Sequence, residues 1–165
     1  MKIFFTNISF SGQPQNYGIV DKYVSRSAQP QKDDFVWLKS EGVTDIFNFR
    51  TMRKNMLNFD EEEEVRKLGM NYHHIPSVTV NPDAEKVEIF LEEIEKVKAK
   101  GGKAHIHCMA GADRTGMYAF IYKMINNIGT FTENLKEWYD FGLHYKRYSN
   151  LTDWAELFVK YKKRL

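Results

Sequence analysis

Lys103-Ala104-His105-Ile106-His107-Cys108-Met109-Ala110-Gly111-Ala112-Asp113-Arg114-Thr115-Gly116 changes character halfway along. Lys103 to Cys108 reads as a strand in which His105 and His107 share one face. A loop containing Gly111 follows, and a helix is predicted over Arg114–Ile128. The N–H groups of such a loop belong to neither element, so they can converge on an anion, helped by the helix dipole. Cys108 stands at the base of that cradle, where the same positive field favours thiolate over thiol. Comparable settings bring a cysteine from about 8.5 into a range of roughly 3.5–7.5. Arg114, six residues after Cys108, closes the loop with a planar fork suited to two phosphate oxygens.

Outward from this stretch, strand and helix patterns alternate. Asp33–Ser40 reads as a short helix, Val43–Phe49 as a buried strand, Asp60–Leu68 as a helix, and Met70–Ile75 as a strand closed by Pro76. In Pro82–Ala99, Val87, Phe90, Leu91, Ile94 and Val97 fall on one helical face, with Asn81 and Pro82 as N-cap and first helical residue. Helices are predicted at Thr132–Phe141 and Leu151–Lys162. The alternation implies an α/β fold: one domain over residues 1–165, with a central, mostly parallel sheet flanked by helices. Residues 1–18 are expected to form an irregular N-terminal segment over the surface, and 131–165 the C-terminal helices. Ligands of such sheets sit at the carboxyl ends of the strands, and Cys108 lies at one.

With 24 Lys plus Arg against 22 Asp plus Glu, the net charge of +2 gives no argument for nucleic acid or a membrane as partner. Anion recognition must then be local. The single cysteine excludes an intrachain disulfide. The apolar start Met1–Phe5 is broken by Thr6 and Asn7 too early for a signal peptide, and no stretch has the ~18 apolar residues of a membrane helix. A soluble cytoplasmic protein is the expectation, export with a removed signal remaining open, as does the oligomeric state. The acidic run Asp60–Glu64 is read as the solvated first turn of a helix, and Arg50 as its ion-pair partner. His105 and His107 have no complementary ligand cluster, so no metal is expected.

His107-Cys108-x5-Arg114-Thr115-Gly116 resembles the signature loop of the protein tyrosine and dual-specificity phosphatases. Arg26-Ser27-Ala28-Gln29-Pro30, Gly42–Arg50 and Phe141-Gly142-Leu143-His144 are similar to segments of compact bacterial dual-specificity-like members. The resemblance implies a cysteine-phosphatase-like fold and a two-step reaction without cofactor or metal. Cys108 attacks phosphorus to form a phosphocysteine, and water then releases phosphate. Arg114 and the amides of Met109, Ala110, Gly111, Ala112 and Asp113 hold the phosphoryl oxygens, and His107 orients the loop. Thr115 takes the position whose hydroxyl assists Cys108 as leaving group. Family members place the general acid, an Asp, on a separate earlier loop. Asp83, the one Asp between positions 61 and 112, is the first candidate. Asp113 is the second, because Gly-Ala-Asp-Arg-Thr is similar to lipid-directed phosphatases with an acid there.

The substrate implied is a phosphorylated protein or a small phosphomonoester, of phosphotyrosine or dual-specificity type. Phosphoinositides and inositol phosphates are the alternative, weakened because the loop carries no Lys. A non-catalytic phosphate-binding module is the reading from another class.

Overall fold

The computed structural model describes residues 12–51 and 56–165. Among the described residues the sheet has five strands: β1 (Gly18–Ile19), β2 (Val24–Ser27), β3 (Asp45–Asn48), β4 (Asn71–His74) and β5 (Ala104–His107). Their spatial order is β1-β2-β5-β3-β4, and only β1 runs antiparallel to its neighbour. The expectation of a mostly parallel sheet holds. The helices are α1 (Lys32–Ser40), α2 (Glu61–Lys67), α3 (Ala84–Ala99), α4 (Asp113–Ile125), α5 (Phe131–Asp140) and α6 (Ser149–Lys162). Among the described residues no helix is long and apolar enough to cross a membrane.

Strand parity sorts the side chains into two layers. Ala104, Ile106 and Phe47 face a large core with Phe90 and Ile94 of α3 and Met117, Tyr118 and Ile121 of α4. Ile46 faces a smaller core with Phe35 and Leu38 of α1 and Val65 of α2. His105 and His107 therefore turn away from the large core into a polar layer. There His105 is fully buried, with Ser25 Oγ 2.9 Å from Nδ1 and Ser27 Oγ 2.8 Å from Nε2. Burial, then the charges of His107 and Lys103, hold its imidazole well below the ordinary histidine range.

Several expectations need correction. No strand was predicted before residue 43, yet β2 is a fully buried neighbour of β5. Its sequence, Val-Ser-Arg-Ser, lacks an apolar run, its serines meeting His105 and its arginine the Gly111 carbonyl inside the fold. Residues 1–11 of the proposed irregular segment lie outside the described residues; Gly18, at its other end, pairs with Arg26. Asn81 does not cap α3. Asp83 does, its carboxylate accepting the Glu85 N–H at 3.0 Å, and the helix starts at Ala84. The acidic run is not wholly solvated either. Asp60 caps α2 by accepting from Glu63 N, but Glu61 is buried.

Candidate active site

β5 lies between β2 and β3, and the chain leaves its carboxyl end at Cys108 to enter α4 five residues later, at Asp113. In the intervening loop every carbonyl from Cys108 to Ala112 is tied to the surrounding protein. The Cys108 carbonyl lies 3.3 Å from His107 Nδ1, and the Met109 carbonyl accepts from the Gln29 amide at 3.0 Å. Asn16 Nδ2 donates to the Ala110 carbonyl, Arg26 Nη2 to that of Gly111 and Trp138 Nε1 to that of Ala112, at 3.0, 2.8 and 3.1 Å. None of the N–H groups of Met109–Ala112 donates to another described residue. Carbonyls turned outward leave amides turned inward, the polarity an oxyanion requires.

The braces come from segments remote in sequence. Gly111 has φ +70°, and a Cβ there would lie 2.5 Å from the backbone of Ser27 and Ala28, so the loop packs against the end of β2 with room only for hydrogen. Gly116 similarly lets α4 meet α5, since a Cβ there would be 2.1 Å from the Trp138 ring. The segment Arg26–Pro30 is thus a scaffold for the loop. Arg26 is 1% exposed, stacked over the Phe141 ring at 4.0 Å and 3.6 Å from Glu137. Its Nε has no hydrogen-bond partner among the described residues. Burial pushes its pKa down to about 10, the charges of Glu137 and Cys108 pulling the other way, so the guanidinium stays charged at neutral pH. Nothing in the sequence marks Arg26 as more than a surface arginine, except its place in the family-like segment.

His107 is held by Glu61, with Nε2 2.7 Å from Oε1 and both side chains buried. Gln29 Nε2 donates to the other Glu61 oxygen at 2.7 Å, and Arg50 Nη1 donates to Gln29 Oε1 at 2.8 Å. Arg50 therefore reaches the acidic segment through an amide. Burial would raise the Glu61 carboxyl; the His107 charge and hydrogen bond, Gln29 and Arg50 outweigh it, and it titrates below its ordinary value. Glu61 was missed because an acidic run at a helix start gives no sign of which member turns inward.

Cys108 is 2% exposed, yet it lines an open pocket of about 420 Å³. Arg114 lines it too, its Nη1 3.4 Å from the carbonyls of both Phe49 and Ser77. Val78, Val80, Met109 and Tyr148 give the pocket apolar walls, and Asp113, His144 and Arg147 add charge and polarity. Asp113 accepts from the His144 backbone N–H at 2.8 Å and lies 2.9 Å from its ring Nδ1. Asp83, engaged at the start of α3, is not among the lining residues. The Thr115 hydroxyl is buried without a hydrogen-bond partner among the described residues.

A buried cysteine at the carboxyl end of a central parallel strand, roofed by a strand-to-helix loop with an arginine at its far end, is the arrangement of the cysteine-phosphatase fold. The chain belongs to the family described as DSP-PTPase phosphatase fused to NAD+ kinase, whose family model matches residues 11–142. Among solved structures it is similar to a DUF442 protein of Shewanella putrefaciens CN-32, at 24% identity over 87% of this chain and 90% of that one, TM-score 0.72. It is also similar to the core catalytic domain of the PP-IP phosphatase SIW14 of S. cerevisiae, at 19% identity over 87% and 85%, TM-score 0.73. TpbA of P. aeruginosa, in a complex with pTyr, matches at 17% over 88% and 90%, TM-score 0.68. These likenesses establish the shared fold. No curated protein matches the chain.

Proposed function

We propose that this protein is a cysteine-dependent phosphomonoester hydrolase acting on aryl phosphates of the phosphotyrosine kind. The observation that carries the reading is the loop Cys108–Ala112, whose carbonyls are all bonded outward above the lone cysteine. In the first step Cys108 Sγ attacks phosphorus while the amides of Met109–Asp113 and the Arg114 guanidinium bind the phosphoryl oxygens. In the second, water attacks the phosphocysteine and the thiolate departs, the Thr115 hydroxyl being free to donate to it. The leaving oxygen draws its proton from the Asp113 side rather than from Asp83, because Asp113 lines the pocket. Charge stabilisation comes from protein groups, so turnover is expected to proceed in the presence of a chelator.

The walls of Val78, Val80, Met109 and Tyr148 suit a flat apolar ring. The neighbours represent both kinds of ligand, SIW14 being a PP-IP phosphatase and a cysteine-to-serine form of TpbA being in complex with pTyr. For a multiply phosphorylated inositol the described residues lining the pocket offer Arg114 and Arg147 as cationic partners, with the His144 ring beside them, and no lysine among them. The test is phosphate release from a phosphotyrosine peptide and from an inositol phosphate, by the wild type and by Cys108→Ser. The expected result is peptide turnover, lost in the variant. Activity that persists in Cys108→Ser would overturn the mechanism, and preference for the inositol phosphate would overturn the substrate class.

A further inference from the structure

Both oxygens of Asp113 are directed at one residue. Oδ1 accepts the His144 backbone N–H at 2.8 Å, and Oδ2 faces His144 Nδ1 at 2.9 Å. A proton resting on Oδ2 would therefore be shared with the imidazole rather than offered to a leaving group. The other ring nitrogen, Nε2, has no hydrogen bond to any described residue, and the His144 side chain, 59% exposed, lines the same pocket as Cys108 and Arg114. Asp113 from α4 contacts this imidazole, and the other titratable or charged groups lining the same pocket are Cys108, Arg114, Arg147 and Tyr148, the last two also donating backbone N–H groups to the His144 carbonyl. Asp113 is the anion in direct contact with the ring.

From this geometry we infer that His144 is the proton donor of the reaction proposed above, and that Asp113 acts through it as a positioning residue. The arrangement has the logic of a carboxylate–imidazole pair. The carboxylate fixes the ring orientation with hydrogen at Nδ1, and Nε2 exchanges the proton. In the first step the S–P bond forms and the P–O bond to the leaving group breaks. The leaving oxygen takes the Nε2 proton, and His144 becomes neutral. In the second step neutral Nε2 takes a proton from the attacking water as the new O–P bond forms and the S–P bond breaks. Orthophosphate and the thiolate are released and the imidazolium is restored. This inference rests on the phosphocysteine reading, and it assigns the acid to a residue some 30 positions after the signature loop.

Leaving groups that need a proton separate the donor from a bystander. Phenyl phosphate, whose leaving oxygen is basic, and 2,4-dinitrophenyl phosphate, whose leaving oxygen is not, are compared in wild type, His144→Ala, Asp113→Asn, the double variant and Asp83→Asn. The expected result in His144→Ala is a rise of about 100-fold in the ratio of kcat/KM for the dinitrophenyl ester to that for the phenyl ester. Recovery of phenyl phosphate turnover with added imidazole is expected as well. Asp113→Asn should move the ratio the same way, and the double variant no further than His144→Ala. An unchanged ratio in His144→Ala, or a ratio that moves in Asp83→Asn instead, would overturn the inference. Failure of the underlying reading would look different, because wild-type turnover would then survive Cys108→Ser.

Discussion

Gly111 sits where the loop crosses the backbone of Ser27 and Ala28 with φ +70°, so an alanine there meets both a disfavoured conformation and atoms 2.5 Å away. Neither can relax, because the neighbouring atoms are main chain in a buried strand end. Gly111→Ala is expected to cost about 2–4 kcal/mol, read as a shift of the urea midpoint at unchanged slope. It should also weaken vanadate binding, since the loop must move outward to make room. An alanine variant with wild-type stability would mean that the loop has freedom its close packing does not suggest. Asp83 makes the contrasting case. Its carboxylate already serves a helix N-terminus, so Asp83→Asn, which keeps a capping oxygen, should change stability by about 0.5 kcal/mol or less.

At the scale of elements, the site is a strand end braced by its neighbours. β2 supplies the arginine that holds the Gly111 carbonyl and leads into Gln29, which holds the Met109 carbonyl; α5 supplies Trp138 for that of Ala112. Arg26 is the most heavily committed of these, buried between the loop, the Phe141 ring and Glu137, which also pairs with Lys123. Arg26→Met keeps much of the buried volume and removes the donor to Gly111. Misplacement of a reacting group by about 1 Å is worth about 100-fold in rate, and kcat/KM on an aryl phosphate should fall by about that factor. The decisive comparison is circular dichroism beside the kinetics. A folded variant with wild-type kcat/KM would show that β2 supports the sheet and not the loop.

For the molecule as a whole, the sheet separates the two cores, and on the face of the smaller one lies a polar layer formed by Ser25, Ser27, His105, His107 and Glu61. This layer links stability to pH. The folded-state pKa of Glu61 is depressed below its ordinary value of 4.5, so its contribution is fully present above that value. It is lost as pH falls through the lower folded value. Urea unfolding from about pH 7 to pH 3 should show wild-type stability dropping along this acid limb. In Glu61→Gln that portion of the limb should be missing. The variant should also be less stable at pH 7 by about 3 kcal/mol, because His107 loses the carboxylate it is buried against. An acid limb identical in the two proteins would place the sensitive carboxylates elsewhere.

Much of the candidate site was legible in the sequence because its chemistry is contiguous: Cys108, Gly111, Arg114 and Thr115 lie on one strand-to-helix turn, and local backbone geometry sets their relation. The alternation of strands and helices likewise announced a mostly parallel sheet, since apolar periodicity is a local property. Which carboxylate lines the pocket, and which residues hold the loop's carbonyls, depended on the tertiary structure. Asn16, Arg26, Gln29, Glu61, Trp138 and His144 are polar or aromatic residues scattered along the chain, and each would read as an ordinary surface or packing residue in isolation. β2 was hidden for the same reason: its serines belong in a strand only because His105 of the neighbouring strand receives them, and its arginine because the loop and α5 do. Reactive groups can be recognised from their neighbours in the chain, whereas the groups that orient them are defined by neighbours in space.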